Sequence, residues 1–272
     1  MIPAVEIGPM QPSTVAVTGS PALRSAFVAL TCVIAVLAVA AIYWSSLRTG
    51  LDRGAAFRRA TIAACITTLW IGVTGVAAAR GLLHFEPPPT MLVLFVFVFG
   101  IAIGLALSPA GKQIALGLPI AALVGYQGFR LFVELLLHRA YIEGLMPVQM
   151  SYAGRNYDIV TGVTALILGA WLIVGPTPSG RLVFAWNTLG LLLLANIVGV
   201  ALLSAPTPLR VFMNEPANVW ITHAPWVWLP AVMVLAALAG HLLVYRRLLA
   251  ERESVETSSL RFSKADPSLR SG

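Results

Sequence analysis

Apolar residues in this chain come in long blocks, not in alternating or every-third-position patterns. A helix that is apolar on all sides belongs in lipid or in a large core. Seven blocks approach or reach the roughly 20 residues a spanning helix needs. They cover about 26–46, 60–80, 90–108, 116–140, 159–176, 183–204 and 226–245. Breakers separate them: Glu86-Pro87-Pro88-Pro89, Ser108-Pro109-Ala110-Gly111, Gly175-Pro176-Thr177-Pro178, and Pro206 with Pro208. Proline stops a helix because it lacks an N–H and clashes with the preceding turn. The predicted fold class is all-α, a polytopic transmembrane bundle of about seven helices over residues 24–250. The flanking segments 1–23 and 251–272 hold too few apolar residues to fold and are expected to be disordered.

Charge strengthens this reading. Only 11% of the residues are charged, against about 25% in a soluble domain, too few to cover a water-facing surface. The net charge is +7, but the basic residues flank the apolar blocks, where they orient a membrane protein. Nucleic acid is therefore not an expected partner; the lipid bilayer is. Twelve Lys and Arg residues fall on one side of the seven-helix topology, among them Arg48, Arg53, Arg58, Arg59, Arg246 and Arg247. Five fall on the other: Arg24, Arg80, Arg139, Arg155 and Arg210. This bias places the C-terminus in the cytoplasm and the N-terminus outside a bacterial cytoplasmic membrane. Residues 1–23 contain no Lys or Arg, so the basic start of a signal peptide is missing and the first block is kept as a helix. Cys32 and Cys65 fall at opposite depths of neighbouring helices and are expected to stay free.

One block carries unusual chemistry. Gln127, Arg130, Glu134, His138 and Tyr141 recur at steps of three and four, which puts them on one helix face. Arg130 and Glu134 are expected to pair, because an ionisable group inside a membrane faces the protein interior or a wet cavity. The functional reading is a binding site, a proton relay or a metal site; the alternative is a structural ion pair. Arg155, Asn156, Asp158 and Asn187 could converge on the stripe, as could Glu143, Gln149, Asn196, Asn214, Glu215 and His223. Each also has a structural reading. Asp158 suits a helix N-terminus, and Asn196 an interhelical hydrogen bond. Trp220, Trp226 and Trp228 suit an interfacial belt, and His241 the inner interface.

Several chemistries find no motif. Glu134 and His138 lie one turn apart, but a zinc site needs three or four ligands, so no metal is expected. A retinal protein needs a lysine in its last helix, and the two lysines, Lys112 and Lys264, fall outside the blocks. No phosphate loop, dinucleotide fingerprint or nucleophile elbow is present, and no cofactor is expected.

The stretch from Gly128 to Gly144, continuing through Met150-Ser-Tyr-Ala-Gly-Arg-Asn-Tyr-Asp158, resembles an uncharacterised family of bacterial multi-spanning membrane proteins. Ala185-Trp186-Asn187 and the Pro225-Trp226 turn are similar too. The resemblance implies no activity. Three function classes remain. The first is a non-enzymatic protein that binds or transports a small polar or ionic ligand at an outward-facing site. The second is an enzyme at the outer face, metal-dependent or not, with Glu134 as base and His138 as base or metal ligand. The third is an assembly subunit or homo-oligomer whose stripe meets a partner helix.

Overall fold

A computed structural model describes residues 18–176 and 179–265, with side chains up to residue 254. Most of the N-terminal segment expected to be disordered, 1–17, and the last residues, 266–272, lie outside the described residues. Every regular element among the described residues is helical.

Helices α1 (Pro21–Arg48), α2 (Arg53–Ala79) and α3 (Thr90–Leu107) follow the first three apolar blocks. Short polar side chains start the first two: Ser20 Oγ accepts from the Leu23 amide at 3.2 Å, and Asp52 Oδ1 from the Ala55 amide at 2.9 Å. Such caps satisfy N–H groups that have no partner within the helix.

The fourth block is not one helix. It divides into α4 (Pro109–Gly117), α5 (Ile120–Tyr126) and α6 (Phe129–Ile142). Pro119, which cannot continue the preceding helix, separates α4 from α5. Between α5 and α6 the Gln127 and Gly128 amides donate to Val124 and Gly125, three residues back. The path tightens there by one 3₁₀ turn. Further on come α7 (Ile159–Val174), α8 (Gly180–Leu203) and α9 (Leu235–Ala265). A π-helical stretch, Leu229–Val234, introduces α9, and α9 itself continues past residue 250, where the sequence reading ends the membrane domain.

Among the described residues, six helical runs are long and apolar enough to cross a membrane: α1, α2, α3, the α5–α6 run Ile120–Ile142, α8, and Leu229–Ser254. Helix α7 is apolar but only 16 residues long. The chain is thus an all-helical membrane protein in contact with the lipid bilayer. Cys32 and Cys65 are both exposed free thiols.

Helix α7 lies antiparallel along α5 and α6. A Cβ on Gly162 would fall 2.2 Å from the Leu131 amide nitrogen, and one on Gly169 2.8 Å from the Gly125 Cα. Only glycine permits this approach. Since Gly162, three residues into α7, lies level with Arg130 and Leu131, α7 starts about 12 Å below the end of α6, at 1.5 Å per residue. Segment 143–158 therefore descends into the bundle instead of lying across it. It buries Met146, Gln149, Met150, Ser151 and Asn156 on the way.

The connection from α8 to α9 is also packed inward. Trp220 and Trp226 are fully buried and meet Phe27 edge-on, with ring centroids 5.9 and 5.0 Å away. Neither is an interfacial belt residue, contrary to the sequence expectation. Trp228 is half-buried, and its indole N–H donates to Ile71 O at 3.1 Å. These two long segments define a loop end of the bundle; α9 leaves from the opposite, tail end.

Candidate functional site

Arg130 sits in the first turn of α6 with 2% of its surface exposed. Its Nε donates to Asp158 Oδ2 at 2.6 Å, and its Nη2 donates to Asp158 Oδ1. Its Nη1 donates to Gly190 O on α8 at 3.2 Å and lies 2.7 Å from His241 Nε2 on α9. The expected Arg130–Glu134 pair is not formed. A carboxylate met fork to fork gives two charge-assisted hydrogen bonds at once. Asp158 gains this position because segment 143–158 descends to the depth of Arg130. It occupies the position just before α7, but its side chain makes no capping hydrogen bond there.

His241 completes the far side. The Asn187 amide nitrogen donates to the His241 carbonyl at 3.1 Å, and Asn187 Oδ1 faces His241 Nδ1 at 2.8 Å. One assignment satisfies every contact: Nδ1 carries the hydrogen and donates to Asn187, while Nε2 accepts from Arg130. His241 is fully buried and is not an interface residue, contrary to expectation. A Cβ on Gly190 would come within 2.6 Å of the His241 ring, so glycine makes room for it.

Glu134 lies one turn beyond Arg130, 1% exposed, and is bound differently. The Asn156 amide nitrogen donates to Glu134 Oε2 at 2.6 Å and to Met150 O at 3.0 Å. Asn156 Oδ1 accepts from the Asp158 amide at 3.0 Å. One asparagine thus links the Glu134 carboxyl to the backbone of Asp158. Glu134 Oε1 has no hydrogen-bond partner, and Glu134 no ion-pair partner, among the described residues.

The remaining sequence candidates fall into two groups. Gln127 is buried beside the network, its Nε2 donating to Ala237 O at 3.0 Å while its Oε1 has no partner. His138, Tyr141 and Arg155 stand apart. His138 is half-buried and stacks on Tyr152 at 4.2 Å, with Tyr141 at 6.0 Å. Arg155 is exposed, with its guanidinium 5.4 Å from the Phe212 ring centre. The Asn196 amide reaches the Arg155 carbonyl, at 2.8 Å, instead of a neighbouring helix. No group of three or more His, Cys, Asp or Glu residues able to hold a metal occurs among the described residues.

Helix α6 packs on α1 and α7, while α8 packs on α9. Between these pairs lies a cavity of about 60 Å³. Arg130, Glu134 and Asp158 border it, and its other walls are apolar, including Phe95, Phe129 and Leu194. Met150 and Ile221, from the two loop-end segments, line it as well. The π-helical stretch supplies Leu229, Pro230, Met233 and Val234. Such π-turns occur often at functional sites.

Comparison with protein-family models, curated proteins and solved structures gives no match.

Proposed function

We propose that this chain is a non-enzymatic membrane protein that takes a small ligand into the cavity between α6 and α8. The observation that carries this reading is the Glu134 carboxyl, buried against an apolar cavity with one oxygen unpartnered. Leaving such a group unpaired is costly, and intramembrane acids serve as ligand and ion sites. The volume exceeds the roughly 10–15 Å³ needed for one water, so there is room for more than a single solvent molecule.

The polar stripe then divides by role. Arg130, Asp158, His241 and Asn187 form the scaffold, since Arg130 spends its donors on protein acceptors. Glu134 and Asn156 are the ligand-facing part. The chain crosses a bacterial cytoplasmic membrane seven times, with the loop end outside. Helix α7 and the descending segment before it together make the seventh crossing.

The test fills the cavity. Ala201 on α8 lines it, and Ala201→Phe would occupy it. Mass spectrometry of the purified protein should find a small molecule retained by the wild type and absent from the variant. A stable Ala201→Phe protein that fully complements a deletion strain would end this reading.

A further inference from the structure

We infer that the ligand of this cavity is a small monocation with an apolar body, its charged head placed on the free oxygen of Glu134. The inference rests on the ligand-binding reading above and adds its chemistry. Four ionisable groups meet here. Arg130 and Asp158 cancel in a bidentate pair. His241 accepts a hydrogen bond from Arg130, which requires a ring nitrogen without hydrogen, so it adds no charge. Glu134 holds only a neutral amide donor, Asn156. With both carboxyls ionised the cluster carries one negative charge that no described residue balances.

The surroundings select what can balance it. An anion would meet Glu134 and Asp158 on the same wall, and Arg130 has little left to offer it. A bare, strongly hydrated metal ion would find one free carboxylate oxygen among apolar side chains, where hard cations want six or more oxygens. An ammonium head needs few acceptors, and its alkyl body suits walls of Val133, Leu137, Leu194 and Met233. Phe95 and Phe129 on the same walls add aromatic faces, which attract cations.

The test uses n-butylammonium, with n-butanol and butyrate as neutral and anionic probes of equal chain length. Binding to the detergent-solubilised full chain is measured by titration calorimetry and by thermal stability. Glu134→Gln keeps the shape and can still accept from Asn156, so it should fold. Butylammonium should bind saturably, one per chain, and raise the melting temperature. Its affinity should fall about tenfold or more in Glu134→Gln, the scale of a lost charged hydrogen bond. Butanol and butyrate should bind at least about tenfold more weakly than butylammonium, by the same measure. Equal butylammonium affinity in wild type and Glu134→Gln would overturn the inference. If butanol or butyrate binds best and Ala201→Phe removes that binding, the cavity remains a ligand site but the cation class falls. If no probe binds, the cation class also falls, and the cavity reading is then decided by Ala201→Phe alone.

Discussion

Arg130 and Asp158, 28 residues apart in sequence, meet fork to fork in the interior of the bundle. That pair joins α6 to the start of α7 and sets the depth at which α7 begins. Removing one partner leaves the other buried and uncompensated. Asp158→Asn should therefore destabilise by about 3–5 kcal/mol, the range for a broken buried pair. Glu134→Gln loses no ion pair and should cost about 1 kcal/mol or less. Thermal unfolding in detergent ranks the two. A larger loss for Glu134→Gln would return the ion pair to Glu134.

Gly190 and His241 are coupled by contact. Alanine is normally favoured over glycine inside a helix, by about 1 kcal/mol. Here the added Cβ would lie 2.6 Å from His241 Cε1 and 2.9 Å from Thr161 Cγ2. Overpacking of this kind costs about 1–3 kcal/mol, so Gly190→Ala should destabilise the wild type. In a His241→Ala background the ring is gone and only the Thr161 contact remains, so the same change should cost clearly less. A double-mutant cycle on unfolding measures this coupling. Additive effects would mean that the ring does not fill the space beside Gly190.

Much of this was legible in the sequence, and what was missed has physical causes. The apolar blocks identified the long helices because lipid demands about 20 apolar residues whatever the tertiary packing. The stripe spacing identified Gln127, Arg130 and Glu134 as interior residues, as burial confirms. The pairing went astray because helix periodicity reports only neighbours on the same helix. Asp158 reaches Arg130 through the fold of an irregular segment, which has no period to read. The fourth block reads as continuous although Pro119 lies inside it, and a proline there is the available signal for the break. His241 looked like an interface residue because Arg246 and Arg247 follow it closely. The signal for burial was its neighbour Gly240, where a Cβ would lie 2.5 Å from Gln127 Nε2.

Acidification should loosen the loop end through Glu143. The Ser20 amide and hydroxyl each donate to its carboxylate at 2.7 Å, as does Arg139 Nε. Burial raises the Glu143 pKa, but the Ser20 hydrogen bonds and Arg139 outweigh it and hold it below the usual value. A depressed folded-state pKa contributes stability that is present above the unfolded value, about 4.3. That stability is lost as pH falls through the lower folded value. Arg139 is exposed, so the contribution should be about 1 kcal/mol or less. The melting temperature of Glu143→Gln should thus lie below that of wild type at pH 7, and the gap should narrow as pH falls below the unfolded value towards pH 3. A constant difference across that range would rule Glu143 out as the titrating group.

The number of crossings is a question about parity. Six put both chain ends on one side, seven put them on opposite sides, and α7 decides. Its 16 residues cover about 24 Å at 1.5 Å per residue, against a hydrocarbon core of about 30 Å. The missing height belongs to residues 148–158, which are not α-helical; Gln149, Met150, Ser151, Asn156 and Asp158 are buried in the bundle, while Tyr152, Ala153, Arg155 and Tyr157 are exposed. Irregular backbone is tolerated at membrane depth only when protein covers it or it lines a cavity. The inward-facing residues of segment 148–158 meet that condition: Gln149 Nε2 donates to Ser204 Oγ at 3.0 Å, and Asn156 to Glu134 at 2.6 Å. Seven crossings with the basic tail inside are therefore expected. Single cysteines in a background lacking Cys32 and Cys65 would report it, labelled on intact cells by a membrane-impermeant maleimide. Leu209, 72% exposed at the loop end, suits the purpose. Gly154 does not, since a Cβ there would fall 2.3 Å from the Val148 carbonyl oxygen. Leu209→Cys should label on whole cells, and Glu253→Cys only after the membrane is opened. Labelling of both on whole cells would leave α7 as a partial crossing and remove the oriented seven-helix topology.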